Sequence, residues 1–180
     1  WINFIEHNFP DLLHIPSSCK SPQQMFGAVA KSYYAEKIGV KPEDLVVVSI
    51  MPCQAKKYEA ARPEFSHDGV RDVDYVVTTR ELVKMFKEAG INLANMDDEA
   101  YDSPLGESTG AADIFGVTGG VLEAALRTVA SELGGKDLAG DAINFRAVRG
   151  LDGIKEAKVE LAPGVVVTAA VCSGLGNARK

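Results

Sequence analysis

The chain has 180 residues, of which 46% are hydrophobic and 24% charged, proportions that exclude disorder, collagen-like repeats and a disulfide scaffold and leave an ordinary compact protein with length enough for a sizeable core. Its 19 basic and 25 acidic side chains give a net charge of −6, so there is no basic field for phosphate backbones or anionic lipid, and nucleic acid is not an expected partner. Cys19, Cys53 and Cys172 form no CxxC pair and write neither a disulfide framework nor a self-contained zinc site.

The odd cysteine count suits a reducing compartment. The longest apolar runs, such as 164–171, fall far short of the roughly 20 residues a membrane span needs, and no signal segment opens the chain. The expectation is a soluble, cytoplasmic protein without membrane association, with a periplasmic location left open because both ends look cut. The first residue is Trp1, with Phe4 and Ile5 at helical spacing, and the last residues open a helix that never develops. The chain therefore reads as an internal fragment, with a processed protein as the alternative.

Strand and helix signals alternate along the chain, the pattern of a parallel, doubly wound α/β arrangement. Ser21-Pro22-Gln23-Gln24 marks a helix start with Ser21 as cap, Pro22 at the first helical position and Gln24 closing a capping box. Met25, Phe26, Val29, Tyr33 and Tyr34 then line one face until Gly39 stops the helix. Leu45 to Ile50 is a β-branched run of the kind buried on both faces, leading to Met51-Pro52-Cys53. A second strand, Tyr75 to Thr78, enters a helix through a Thr78/Glu81 capping box, with Leu82, Val83 and Phe86 inward and Gly90 closing.

Asn92 to Asp102 is acidic and irregular, and 91–105 is the expected boundary between two lobes. A glycine-rich stretch to Gly120 enters a strong helix with Val121, Leu122, Ala125, Leu126 and Val129 inward and Gly134-Gly135 at its end. The remainder reads as strands near Ile143 to Val148 and Val165 to Val171 around a small Leu151 to Lys158 helix.

In an open parallel sheet, ligands sit beyond the carboxyl ends of the strands, so Met51 to Glu59 is the leading candidate for chemistry. A proline before Cys53 stiffens the turn, a thiolate ligates soft metals, and a nearby Lys⁺ lowers a thiol pKa. The alternative is a buried, inert cysteine with Lys56 and Glu59 as a solvated pair. Gly116-Val117-Thr118-Gly119-Gly120 and Gly174-Leu175-Gly176 fit neither a P-loop nor a dinucleotide fingerprint. His7, His14 and His67 sit in polar company without a flanking motif and read as surface residues. Asp97-Asp98-Glu99 lacks the alternation of a calcium loop.

Together, Ser21 to Gly27, Met51 to Glu59, Ser103 to Glu107, Phe115 to Arg127 and Gly174 to Ala178 resemble, in order and over essentially the whole chain, the catalytic H-domain of the iron-only (FeFe) hydrogenases. The resemblance implies a two-lobed α/β domain of twisted, mostly parallel sheets flanked by helices, with the cluster site between the lobes. It implies reversible reduction of protons to H2 with electrons from ferredoxin or a similar carrier, and loading by maturation proteins.

The cofactor so implied is the H-cluster, a 4Fe-4S cubane joined through a cysteine sulfur to a two-iron unit with CO, cyanide and dithiolate ligands. Cys53 matches a cubane ligand. The other three ligands, and the cysteine that passes protons to the two-iron unit, lie in motifs the resemblance places before Trp1 and beyond Lys180, so the piece alone is expected to be inactive. Lys56 would hydrogen-bond a cyanide. Met51 would pack its thioether on the two-iron unit, while Pro22, Gln23, Phe115 and Gly116 would line its dry pocket. Ser17 matches a serine of the family's proton path, and Glu59 would pair with a nearby polar or basic group. Cys19 and Cys172 match no ligand and read as structural. The readings from other classes are a non-catalytic hydrogenase-like iron–sulfur protein, either sensor or assembly-related, and, more remotely, a nucleotide-binding α/β domain.

Overall fold

The computed structural model describes residues 1–107, 109–135, 137–140 and 142–180. They form two compact units, one of Trp1–Ile15 with Glu107–Lys180 and one of Pro16–Gly106.

In the Pro16–Gly106 unit, Ser21 caps α2 (Pro22–Val29): its hydroxyl accepts from the Gln24 N–H, and Pro22 occupies the first turn. The return half of a capping box is missing, because the Gln24 side chain is fully buried and has no hydrogen-bond partner among the described residues. The helix continues through a π turn at Ala30–Tyr34 into α3 (Ala35–Ile38) and stops at Gly39, whose φ of 69° is the left-handed geometry glycine takes without strain. Its buried face differs from the expected one. Gln23, Gln24, Gly27, Ala30, Lys31 and Ala35 turn inward, while Met25, Phe26, Val29 and Tyr33 are exposed. The cause is close approach: a Cβ on Gly27 would lie 2.4 Å from the Asp72 carbonyl oxygen, so only a small-residue face fits there.

The β-branched run yields β1 (Val48–Ile50), followed by α4 (Ala55–Ala60) and a short hairpin of β2 (Ser66–His67) and β3 (Val70–Arg71). The chain returns as β4 (Tyr75–Val77), parallel to β1 with Ser49 opposite Val76. Val47 is buried with Ala30, Ala60 and Val73, but Val46, Val48 and Ile50 are 59%, 50% and 54% exposed. Burial on both faces is therefore not realised: β1 has one strand neighbour among the described residues and one covered side.

The capping box of α5 (Thr79–Glu88) is complete, with Thr78 and Glu81 bonding each other's backbone N–H. Leu82 and Phe86 are half-buried and Val83 is exposed. Gly90, at φ 70°, ends the helix.

The other unit begins with α1 (Ile2–Asn8) and resumes with α6 (Ala111–Ile114) and α7 (Gly120–Gly134), which Gly135 closes at φ 64°. Helix α7 packs on an antiparallel sheet of β5 (Arg146–Ala147), β6 (Ile154–Ala162) and β7 (Val165–Cys172), ordered β5-β6-β7. A last short helix, α8 (Leu175–Ala178), follows Gly174. Leu126, Ala130, Ile143, Ala157, Val159, Leu161 and Ala169 form the core.

Two expectations change here. The small helix over Leu151 to Lys158 is absent, because Ala157, Val159 and Leu161 alternate at the strand period and place every second side chain on α7. On α7 itself the buried residues are Gly120, Ala124, Leu126 and Ala130, with Leu122 half-buried, whereas Val121, Ala125 and Val129 face outward. The class is α/β as expected, with parallel pairing confined to β1 and β4 and the other described sheets antiparallel.

Candidate functional site

Four segments of the Pro16–Gly106 unit converge near the carboxyl end of β1. Met51 extends the ladder, its N–H donating to the Val77 carbonyl at 3.1 Å. Pro52 then turns the chain, and the Cys53 thiol is exposed, which removes the alternative of a buried inert cysteine. The Lys56 N–H donates to the Cys53 carbonyl at 3.3 Å, so the thiol and the lysine share the turn that opens α4.

Lys56 is held at both ends. Its ammonium lies 2.7 Å from Oε2 of Glu59, one helical turn on, with side-chain exposures of 26% and 17%. The other Glu59 oxygen accepts from the Ser21 hydroxyl at the start of α2. The Lys56 carbonyl accepts from Nε2 of Gln23 at 3.4 Å, while Oε1 of Gln23 accepts from the Ser49 hydroxyl on β1 at 2.8 Å. Both ends of the Gln23 amide are thus engaged, and its orientation is fixed.

On the outer side of α4, Lys57 pairs with Glu81 at 2.5 Å. This contact, followed by the Thr78 backbone N–H, lowers the Glu81 carboxyl from its ordinary 4.5 to about 2. Helix α4 is therefore fastened to the N-termini of both α2 and α5.

Ser17, Pro22, Phe115 and Gly116 take no part in the hydrogen bonds and ion pairs just described. Ser17 is exposed, and its hydroxyl accepts from the Cys19 N–H at 3.1 Å. Pro22 sits in the first turn of α2. Phe115 and Gly116 belong to the other unit, after α6, and are exposed. A Cβ at Gly116 would meet nothing within 4 Å, so packing among the described residues does not require a glycine there. Cys19 and Cys172 are exposed, as are His7, His14 and His67.

Sequence reasoning missed Ser49 and the tie it makes through Gln23. A signal existed: Ser49 is the one hydroxyl in the apolar run 45–50.

A cubane takes four thiolates, and these 180 residues hold three cysteines. Among the described residues no group of three or more His, Cys, Asp or Glu side chains converges. The donor set therefore does not close a cubane cage by itself. An accessible thiol beside an oriented cation fits one corner of an anionic thiolate-bound cluster.

An exposed thiol and a lysine on one turn beyond a parallel strand of an α/β fold are the elements of a single thiol-ligand position in a metal-binding domain. The profile described as "Iron only hydrogenase large subunit, C-terminal domain" matches residues 1–180, and the chain belongs to that family. It is 58% identical over its whole length to the NADP-reducing hydrogenase subunit HndD of Solidesulfovibrio fructosivorans, covering 30% of that protein. It is also similar to the solved apo [FeFe]-hydrogenase HydA1 of Chlamydomonas reinhardtii, with 42% identity and a TM-score of 0.80 over 99% of this chain and 52% of that one. A more distant relative, the cytosolic Fe-S cluster assembly factor narfl of Xenopus tropicalis, is 33% identical over 98% of the chain and 38% of its own length. The chain thus spans about a third to a half of the proteins it matches.

Proposed function

We infer that this chain is part of the H-cluster pocket of an iron-only hydrogenase that interconverts protons and H2. One observation carries the reading: an accessible Cys53 thiol at the carboxyl end of β1 shares a helical turn with a Lys56 ammonium already oriented by Glu59. When bound, the cluster would relay electrons from an external carrier and supply the iron chemistry of 2H⁺ + 2e⁻ ⇌ H2.

The chain's own residues bind, orient and exclude water. Cys53 would hold the cubane through one thiolate, with the further thiolates it needs coming from outside these 180 residues. Lys56, held by Glu59, would offer its remaining N–H donors to an anionic cyanide of the cluster. Met51 offers a polarizable thioether. Pro22 and Gln23 would shield the cluster from water, and the Ser17 hydroxyl, donor and acceptor at once, would belong to a proton path. Ferredoxin or a similar carrier delivers electrons, maturation proteins load the cluster, and the protein works in the cytoplasm. On this reading the 180 residues alone are inactive.

The test is anaerobic expression of the full-length protein with the hydrogenase maturation machinery and an assay of H2 evolution from a reduced dye, beside Cys53→Ala. Activity lost in the variant is the expected result. A parent that carries its cubane and evolves no H2 overturns the reading. It would favour the second one, a non-catalytic assembly-related protein, which the similarity to the narfl factor supports. Infrared bands of CO and cyanide separate the two, since a cubane alone has neither ligand. Lys56 and Met51, which serve the two-iron unit, weigh toward the hydrogenase.

A further inference from the structure

We propose that Ser21 is a positioning residue for Lys56, acting through Glu59. The proposal rests on the reading of Lys56 given above and adds to it the group that sets the lysine's direction.

Lys56 begins with a fixed backbone. Its N–H is bonded to the Cys53 carbonyl, and its own carbonyl accepts from Gln23, whose amide is locked by Ser49. The freedom left is that of the side-chain torsions, which Glu59 removes by holding the ammonium at 2.7 Å. A glutamate has three torsions of its own and does not hold a direction unaided. The Ser21 hydroxyl donates to the free Glu59 oxygen and fixes them. One hydroxyl does two things here: its proton goes to Glu59, and its lone pair receives the Gln24 N–H as the cap of α2. The start of α2 thereby sets where the Lys56 charge points, 35 residues further along the chain.

The experiment measures acylation of lysine side-chain amines, in their deprotonated form, by acetic anhydride, resolved by site with mass spectrometry, on the cluster-free full-length protein. Ser21→Gly is the test variant, because glycine at this position costs the helix little while removing the hydroxymethyl group that reaches Glu59. Ser21→Thr is the conservative variant. Lys57, on the same helix but held by Glu81, is the internal reference.

Loss of one hydrogen bond should raise Lys56 labelling about fivefold in Ser21→Gly, with Lys57 unchanged and Ser21→Thr like the parent. Unchanged Lys56 labelling overturns the proposal. So does a joint rise of Lys56 and Lys57, which would mean that α4 has loosened as a whole. Infrared spectra of the matured protein then test the reading beneath it. Labelling that rises at Lys56 alone, with cyanide bands that do not move, upholds Ser21 as a positioning residue and refutes the contact between Lys56 and cyanide.

Discussion

The Lys31 ammonium lies 2.9 Å from Oδ2 of Asp74, and that same oxygen accepts a 2.7 Å hydrogen bond from the Val47 N–H. Lys31 also donates to the carbonyls of Pro42, at 3.2 Å, and Leu45. A buried cation on the π turn thus gathers the entries of both parallel strands and starts β1 and β4 together. Lys31→Met keeps the apolar stem but leaves the Asp74 carboxylate with only the Val47 N–H and no cation, and takes the lysine's donors from two carbonyls. The expected cost is about 2–4 kcal/mol, read as a lower melting temperature of the full-length protein. Melting like the parent's would refute the role.

The Glu81 carboxyl titrates near 2 instead of 4.5, chiefly because Lys57 bonds its ionised form. Folding therefore favours the ionised carboxylate. That contribution is whole above about pH 4.5 and disappears as the pH falls through about 2. Hydrogen exchange at the first-turn amides of α5 should accelerate over this window beyond the intrinsic trend. Glu81→Gln should remove the excess, and parallel profiles for the two proteins would count against the assignment.

At the head of α7, a Cβ on Gly120 would fall 1.7 Å from the Ile114 carbonyl oxygen, so backbone must move to admit any side chain. Gly120→Ala should cost about 3 kcal/mol or more. Gly135 closes the same helix at φ 64° with nothing within 4 Å of its missing Cβ, so Gly135→Ala meets only conformational strain, about 1 kcal/mol. Thermal melts of the pair should separate them by several degrees. Equal shifts would disprove the packing argument.

All three cysteines are exposed, and only Cys53 stands at the carboxyl end of a parallel strand. Iron content after anaerobic cluster loading should collapse in Cys53→Ser and stay at the parent level in Cys19→Ser and Cys172→Ser. Iron retained without Cys53 would place the ligand elsewhere.

Local chemistry was readable from the residues alone. Ser21 and Thr78 cap, and Gly39, Gly90 and Gly135 stop helices, because each device is complete within four or five residues. Helix phase was not. Phe26 and Val29 are the bulkier side chains of α2, yet Gly27 and Ala30 are buried, because the partner is the backbone at Asp72, far along the chain. The stretch 151–158 was misread for a related reason: its strand period becomes visible only with Val159 and Leu161 included. At the candidate site, Cys53 and Lys56 belong to one motif and were found. The contribution of Ser49 depends on a bond to Gln23 across 26 positions, which no local pattern encodes.

Because the Lys56 N–H is bonded to the Cys53 carbonyl, the residues that bear the sulfur and the ammonium have their backbones tied into one turn. A residue inserted between positions 47 and 50 would shift both against the rest of the sheet and keep their spacing. One inserted between 53 and 56 would rotate the charge about a third of a helical turn away from the sulfur. Sequence length in this short interval is therefore under tighter geometric constraint than the identity of its exposed middle residues, Gln54 and Ala55.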